Sequence, residues 1–338
     1  MSKKIVNFSV FFMLISLLLL GGNYVVDPLQ YYRKDNFPVY VKNQRIQIPG
    51  LVRNYTFDTV IVGTSHSENF FTSTLDEYMK SKSINLAISG SSAWEQAQVI
   101  KLALTKNGVK KVVWEMNYKS FSGENPNLVK SGSFPNYLYQ SDLTTPFYYL
   151  YSLDTLWLSA KHLFRHGDSD LDGLNSWFDN HKDKFDGQHV VDHYCRLQSS
   201  PIEEISISYE ASVKEYLEPL LSINKNINYV LFIPPLSVAN FSLNNQLEKF
   251  MVFREVLYRV VSDYENVRII DFVADLDVIG NLHLYKDIEH YSLGVSNNML
   301  ETMSKNNLVS VEHNEVKERN NQLKNFVSMW KEKNHLCD

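Results

Sequence analysis

Asp58-Thr59-Val60-Ile61-Val62-Gly63-Thr64-Ser65-His66-Ser67-Glu68 is the stretch on which the fold of this chain turns. Thr59 to Val62 are all β-branched and do not alternate with polar residues, as expected of a short strand buried on both faces of a parallel sheet. The run stops at Gly63, which places Ser65 on a sharp turn at the strand's carboxyl end. A helical pattern follows over about 66–81. Open α/β folds bind ligands at that edge. A serine there presents its hydroxyl while the next helix N-terminus directs partial positive charge at the same spot. A plainer role also fits, because Ser65-x-x-Glu68 has the spacing of a capping box.

Working outward, Ile84 to Ile88 reads as a second strand, Glu95 to Lys106 as a helix and Val112 to Met116 as a third strand. Between about 120 and 200 the pattern breaks into a stretch rich in Tyr, Trp and Asp, read as an insertion packing over the parent domain. Alternation resumes with a helix from about Ser208 to Leu221, a strand Tyr229 to Ile233, a helix Leu243 to Ser262, a strand Val267 to Asp271 and a last helix from Leu293 to Lys305. Strands alternating with helices predict an α/β domain with a parallel sheet and helices on both faces, over 57–305. The charged segment Glu312 to Lys333 predicts a helical tail within 306–338. No internal repeat is present.

Far from Ser65, Asp287-Ile288-Glu289-His290-Tyr291 precedes the last helix. Asp and His three apart on a turn can face one point, the imidazole taking a proton from a hydroxyl and the carboxylate orienting the ring. A serine after the first strand with Asp-x-x-His near the last is a specific pairing, whereas a lone histidine would carry little.

The amino terminus reads differently. After Lys3 and Lys4, 22 uncharged residues run from Ile5 to Val26. As a helix they span about 33 Å, enough for a hydrocarbon layer of about 30 Å. The two lysines put the amino terminus in the cytoplasm and the remainder outside. This predicts an uncleaved signal anchor over 1–26 and a connector over 27–56. A cleaved signal peptide is the alternative, although no A-x-A-like site is evident. The net charge of −5 and the absence of a basic stripe argue against nucleic-acid binding.

With these residues in place, the chain resembles the SGNH (GDSL-like) hydrolase superfamily. Gly63-Thr64-Ser65 is similar to its first block Gly-Asp-Ser, with Thr64 for the aspartate, and Asp287 to His290 to its last block. The resemblance implies a three-layer, flavodoxin-like sheet. It also implies an oxyanion hole made by the Ser65 backbone N–H, Gly90 after the second strand and Asn117 after the third, where Glu-Met-Asn-Tyr stands for Gly-x-Asn-Asp. The anchor, the insertion and the terminal Asp-x-x-His-Tyr-Ser resemble the membrane-anchored envelope branch, such as the lipoteichoic acid D-alanylation and alginate O-acetylation proteins. That resemblance implies work outside the membrane on an envelope polysaccharide, beside a membrane-bound O-acyltransferase.

The expected activity is therefore transfer or removal of an O-acyl group, acetyl first, with Ser65 as nucleophile, His290 as base then acid, and Asp287 orienting His290. It needs neither metal nor cofactor. The rivals are a catalytically inert SGNH-like glycan-binding or scaffold module and a plain carboxylesterase. Asp168 to Gly173, with Asp179, matches part of a calcium loop but reads better as an acidic turn. Ser92-x-x-Glu95 reads as a capping box. His66 fits a substrate contact or an exposed helix position. Tyr137, Tyr139, Tyr148, Tyr149, Tyr151, Trp157 and Trp177 fit either sugar stacking or a small aromatic core. Cys195 and Cys337, the only cysteines, could pair but carry no motif.

Overall fold

The structure is a computed structural model. It describes residues 3–122, 134–140, 144–167, 169–172, 185–198, 208–305, 313–333 and 337. Most of the calcium-like segment and Trp177 lie outside these residues.

Five strands form one parallel sheet: β1 (Thr59–Val62), β2 (Ser83–Asn85), β3 (Lys111–Glu115), β4 (Asn228–Ile233) and β5 (Val267–Asp271), in the order β2-β1-β3-β4-β5. Val60, Ile61, Val112, Val113, Trp114, Leu231 and Phe232 are wholly buried, which is why these strands read as unbroken apolar runs. The chain leaves β1 for β2 and then returns past β1 to β3, so the order reverses beside β1. That reversal opens a crevice at the carboxyl ends of β1 and β3.

The helices sort into two groups that match the right-handed crossovers this order requires. Thr72–Met79 packs with Leu293–Ser304, whereas Ala93–Ala103, the helix over 209–223 and Gln246–Val261 pack among themselves. The chain is thus an α/β protein with helices on both faces of its sheet. The expected capping box at Ala93–Ala103 is formed in both directions between Ser92 and Glu95.

Two element boundaries differ from expectation, the first being β2, which ends at Asn85 rather than Ile88. After β1 only a short 3-10 turn forms, Ser65–Ser67, and the regular helix begins at Thr72. The reason is Asn85, whose Nδ2 donates to the carbonyls of Ser67 and Phe70, both at 2.9 Å, holding that segment as a loop. Ser133–Leu174 clusters with Met1–Thr56 as one compact unit, and Phe57–Gly132 with Asn175–Asp338 makes the other.

In the first unit the helix Lys3–Val26, with mean hydropathy 2.3 over its most apolar window, is long and apolar enough to span a membrane. It ends on Asp27, whose carboxylate accepts the backbone N–H groups of Tyr31, Tyr32 and Arg33 and the hydroxyl of Tyr149. Leu29, Tyr31, Leu138 and Tyr149 form a small core there. In the second unit the tail helix His313–Lys333 buries Val316, Asn320, Leu323 and Val327, one stripe at helical spacing. Cys195 and Cys337 are joined by a disulfide.

Candidate functional site

The two sequence-distant motifs meet. Ser65 Oγ lies 2.8 Å from His290 Nε2, and His290 Nδ1 lies 2.8 Å from Asp287 Oδ2 and 3.0 Å from Oδ1. An ionised carboxylate only accepts, so Nδ1 donates to Asp287; in the neutral ring that tautomer leaves Nε2 as the acceptor for the Ser65 hydroxyl. Asp287 Oδ1 also accepts the backbone N–H groups of Glu289 and His290, each at 2.8 Å. Burial would raise its carboxyl, but the hydrogen bonds and charge of His290 and these two N–H groups outweigh that and hold it below the ordinary carboxylate range.

The Asp287 to His290 turn is clamped at both ends. Tyr285 and Tyr291, both wholly buried, pair as an antiparallel bridge, and Lys286 N–H donates to the His290 carbonyl at 2.9 Å. The Tyr285 hydroxyl donates to the Pro235 carbonyl after β4, and the Tyr291 hydroxyl to the His66 carbonyl on the Ser65 turn. Ser237 donates its hydroxyl to the Ile288 carbonyl at 2.6 Å. The turn is therefore registered against two strand ends at once.

Under Ser65 lies Glu115, the last residue of β3, with no exposed surface. It accepts the Thr64 N–H at 2.8 Å, the Thr64 hydroxyl at 2.7 Å, the Ser67 hydroxyl at 2.7 Å and His66 Nδ1 at 3.0 Å. Burial would raise its carboxyl; the charge and hydrogen bond of His66, with those of Ser67 and Thr64, bring it down to about 2. The same carboxylate raises His66 against its own burial. Gly63 leaves room for this cluster: a Cβ would sit 2.3 Å from Ser67 Oγ and 2.4 Å from Glu115 Oε2, so one of them would have to shift. Neither Glu115 nor this use of Thr64 was foreseen. The available signal was an acidic residue closing an otherwise apolar buried strand.

His66 itself is buried rather than on an exposed helix position, and its ring stacks on that of His290, centroids 5.0 Å apart. Asn117, also buried, puts Nδ2 3.3 Å from Glu115 Oε1. The same Nδ2 also lies 3.2 Å from His66 Nδ1, so it sits at the edge of the Glu115 cluster. Gly90 takes φ +61°, a backbone angle open to glycine, and a Cβ there would meet nothing within 4 Å. The loop carrying it is tied beside Ser65 by Ile88 N–H and the Ser91 hydroxyl, which donate to the Gly63 carbonyl at 2.9 and 3.1 Å.

Glu289, between Asp287 and His290, is paired with the Lys119 ammonium, which also donates to Asn240 Oδ1 at 3.1 Å. Burial pushes Glu289 up, but the Lys119 charge outweighs it and holds the carboxyl down. This pair was likewise not anticipated. Among the described residues, no group of three His, Cys, Asp or Glu side chains could hold a metal ion. A serine hydroxyl bonded to an oriented, unprotonated imidazole nitrogen is suited to nucleophilic attack on an acyl carbon. Compared with known proteins, the chain matches no family model and none of the curated proteins.

Proposed function

We propose that this chain is an SGNH-type serine enzyme that moves or removes an O-acyl group, acetyl first, on a cell-envelope polysaccharide, from a domain held outside the membrane by its first helix. The observation that carries the reading is the hydrogen-bonded row Ser65, His290, Asp287 at the carboxyl edge of a parallel sheet. Ser65 Oγ attacks the ester carbon as its proton passes to His290 Nε2. The tetrahedral oxyanion takes hydrogen bonds from the Ser65 N–H, the Gly90 N–H and the Asn117 amide, each worth about 3 kcal/mol in comparable sites. The C–O bond then breaks and the leaving alcohol takes the proton from His290. Water or a sugar hydroxyl next attacks the acyl-serine, giving up its proton to the same nitrogen, and Ser65 is regenerated.

The test is labelling of the full-length chain in detergent with a fluorophosphonate, beside Ser65→Ala and His290→Ala. Labelling of the wild type that both variants lose is the expected result. A folded wild type that resists the probe would overturn the reading.

A further inference from the structure

The helix Leu153–Leu163 is built inside out. Its buried face carries Thr155 and Ser159, while Leu153, Leu156, Trp157 and Leu163 are between 42% and 75% exposed. At 100° per residue these four fall in one stripe about 120° wide, and Phe164, just past the helix end, extends it. The preceding helix Thr145–Leu150 adds exposed Phe147 and Tyr148. A water-soluble surface does not carry a patch of this kind without a partner.

The polar face packs on the apolar helix Lys3–Val26. Asn23, wholly buried in that helix, donates to the carbonyls of Leu150 and Ser152 at 2.8 and 3.1 Å and accepts the Ser159 hydroxyl at 3.0 Å. Those two carbonyls belong to the break between the two insertion helices, where backbone groups would otherwise need water. Satisfying them from a neighbouring helix is what hydrocarbon demands. Ser16 also reaches the Tyr151 hydroxyl at 3.1 Å. With Lys4 at one boundary of a layer about 30 Å thick, Ser16 lies about 18 Å in, so Tyr151 is drawn roughly 10 Å below the other boundary.

The rim of the patch is that of an interface. Lys161 sits over the Trp157 ring at 5.2 Å, Arg33 over Tyr24 at 4.9 Å and Arg165 over Phe37 at 5.5 Å. Aromatic rings capped by long cations are enriched where acyl chains meet head groups.

We infer that Thr145–Leu150 and Leu153–Leu163 lie in the lipid leaflet at the carboxyl end of Lys3–Val26, with the Leu153, Leu156, Trp157 and Leu163 face on the acyl chains. The inference rests on the reading that Lys3–Val26 spans the bilayer. The first unit is then a two-part membrane anchor, in which Tyr31 and Tyr149 make a small core and the exposed Phe147, Tyr148 and Trp157 serve lipid instead of sugar.

The full-length chain is reconstituted in phosphatidylcholine vesicles carrying no other protein, with acyl chains brominated near the head-group end. Tryptophan quenching is compared between wild type and Trp157→Phe, and Phe11→Trp in the Trp157→Phe background reports the spanning helix. The expected result is that the Trp157 contribution, taken as the difference, is quenched by about half, as for a ring at the interface. Quenching of the Phe11→Trp reporter without quenching of Trp157 overturns the inference and leaves the face for another membrane protein. Quenching of neither overturns the spanning reading, and the inference falls with it.

Discussion

Two histidines in the second unit lie ring against ring, each holding a carboxylate through Nδ1, and they differ in one respect. The side chains of His290 and Asp287 are 24% and 20% exposed, those of His66 and Glu115 only 3% and 0%. The open pair can exchange a proton with a molecule that arrives from solvent. The closed pair cannot, and its carboxylate instead gathers Thr64, His66 and Ser67 into the turn that presents Ser65. The same chemical couple is thus open to an arriving molecule on one side of a stacking contact and closed into the scaffold on the other.

The sharpest way to break this contrast is Asp287→Asn. It should lower ester turnover about 10⁴-fold, because the amide favours the wrong imidazole tautomer. The asparagine Oδ1 can still accept the two backbone N–H groups, so the denaturation midpoint should barely move. A large loss of stability with modest loss of rate would reverse the roles of the two pairs.

Glu115→Ala should do the opposite first, costing about 3–5 kcal/mol in urea unfolding by leaving the His66 charge and the Thr64 N–H buried without their acceptor. The pH dependence sharpens the point. Glu115 sits at about 2 in the folded chain against an ordinary 4.5, so it binds its proton less readily folded than unfolded. Its contribution is whole above about pH 4.5 and fades as pH falls toward 2, by on the order of 3 kcal/mol. Unfolding measured at intervals across that window should show the slope, and Glu115→Gln should flatten it; an unchanged slope would assign it to other carboxylates. The smallest effect is expected for Gly63→Ala, which crowds Ser67 and Glu115 and should cost about 1–3 kcal/mol.

The open pair was legible in the sequence because each half has local punctuation: β1 is an apolar run stopped by Gly63, and Asp287 and His290 stand three apart before a helix. Four of the five strands were bounded to within a residue for the same reason, since burial on both faces leaves no polar interruption to misplace the ends. The closed pair was not legible. Glu115 meets Thr64 and Ser67 across separations of 51 and 48 residues, and a single acidic residue at a strand end has no pattern of its own. The early start expected for the helix after Ser65 failed because the competing bonds come from Asn85 on β2, invisible to a local reading. The hydrogen bonds that join the insertion to the first helix were hidden likewise: its aromatic residues could be named, but they do not say what they pack on. The contact comes from Asn23, 127 residues before Leu150.

The Cys195–Cys337 bond sets a clock on the making of the molecule. Its partners are 142 residues apart and the chain has only these two cysteines. At about 5–20 residues per second, Cys195 waits on the order of ten seconds before its partner has even been synthesised. During that wait the sequence offers no wrong partner of its own, so any mispairing is intermolecular, a bond to a second copy among them. Crowding of nascent chains, rather than slow oxidation, is therefore the condition under which this protein would be expected to misassemble.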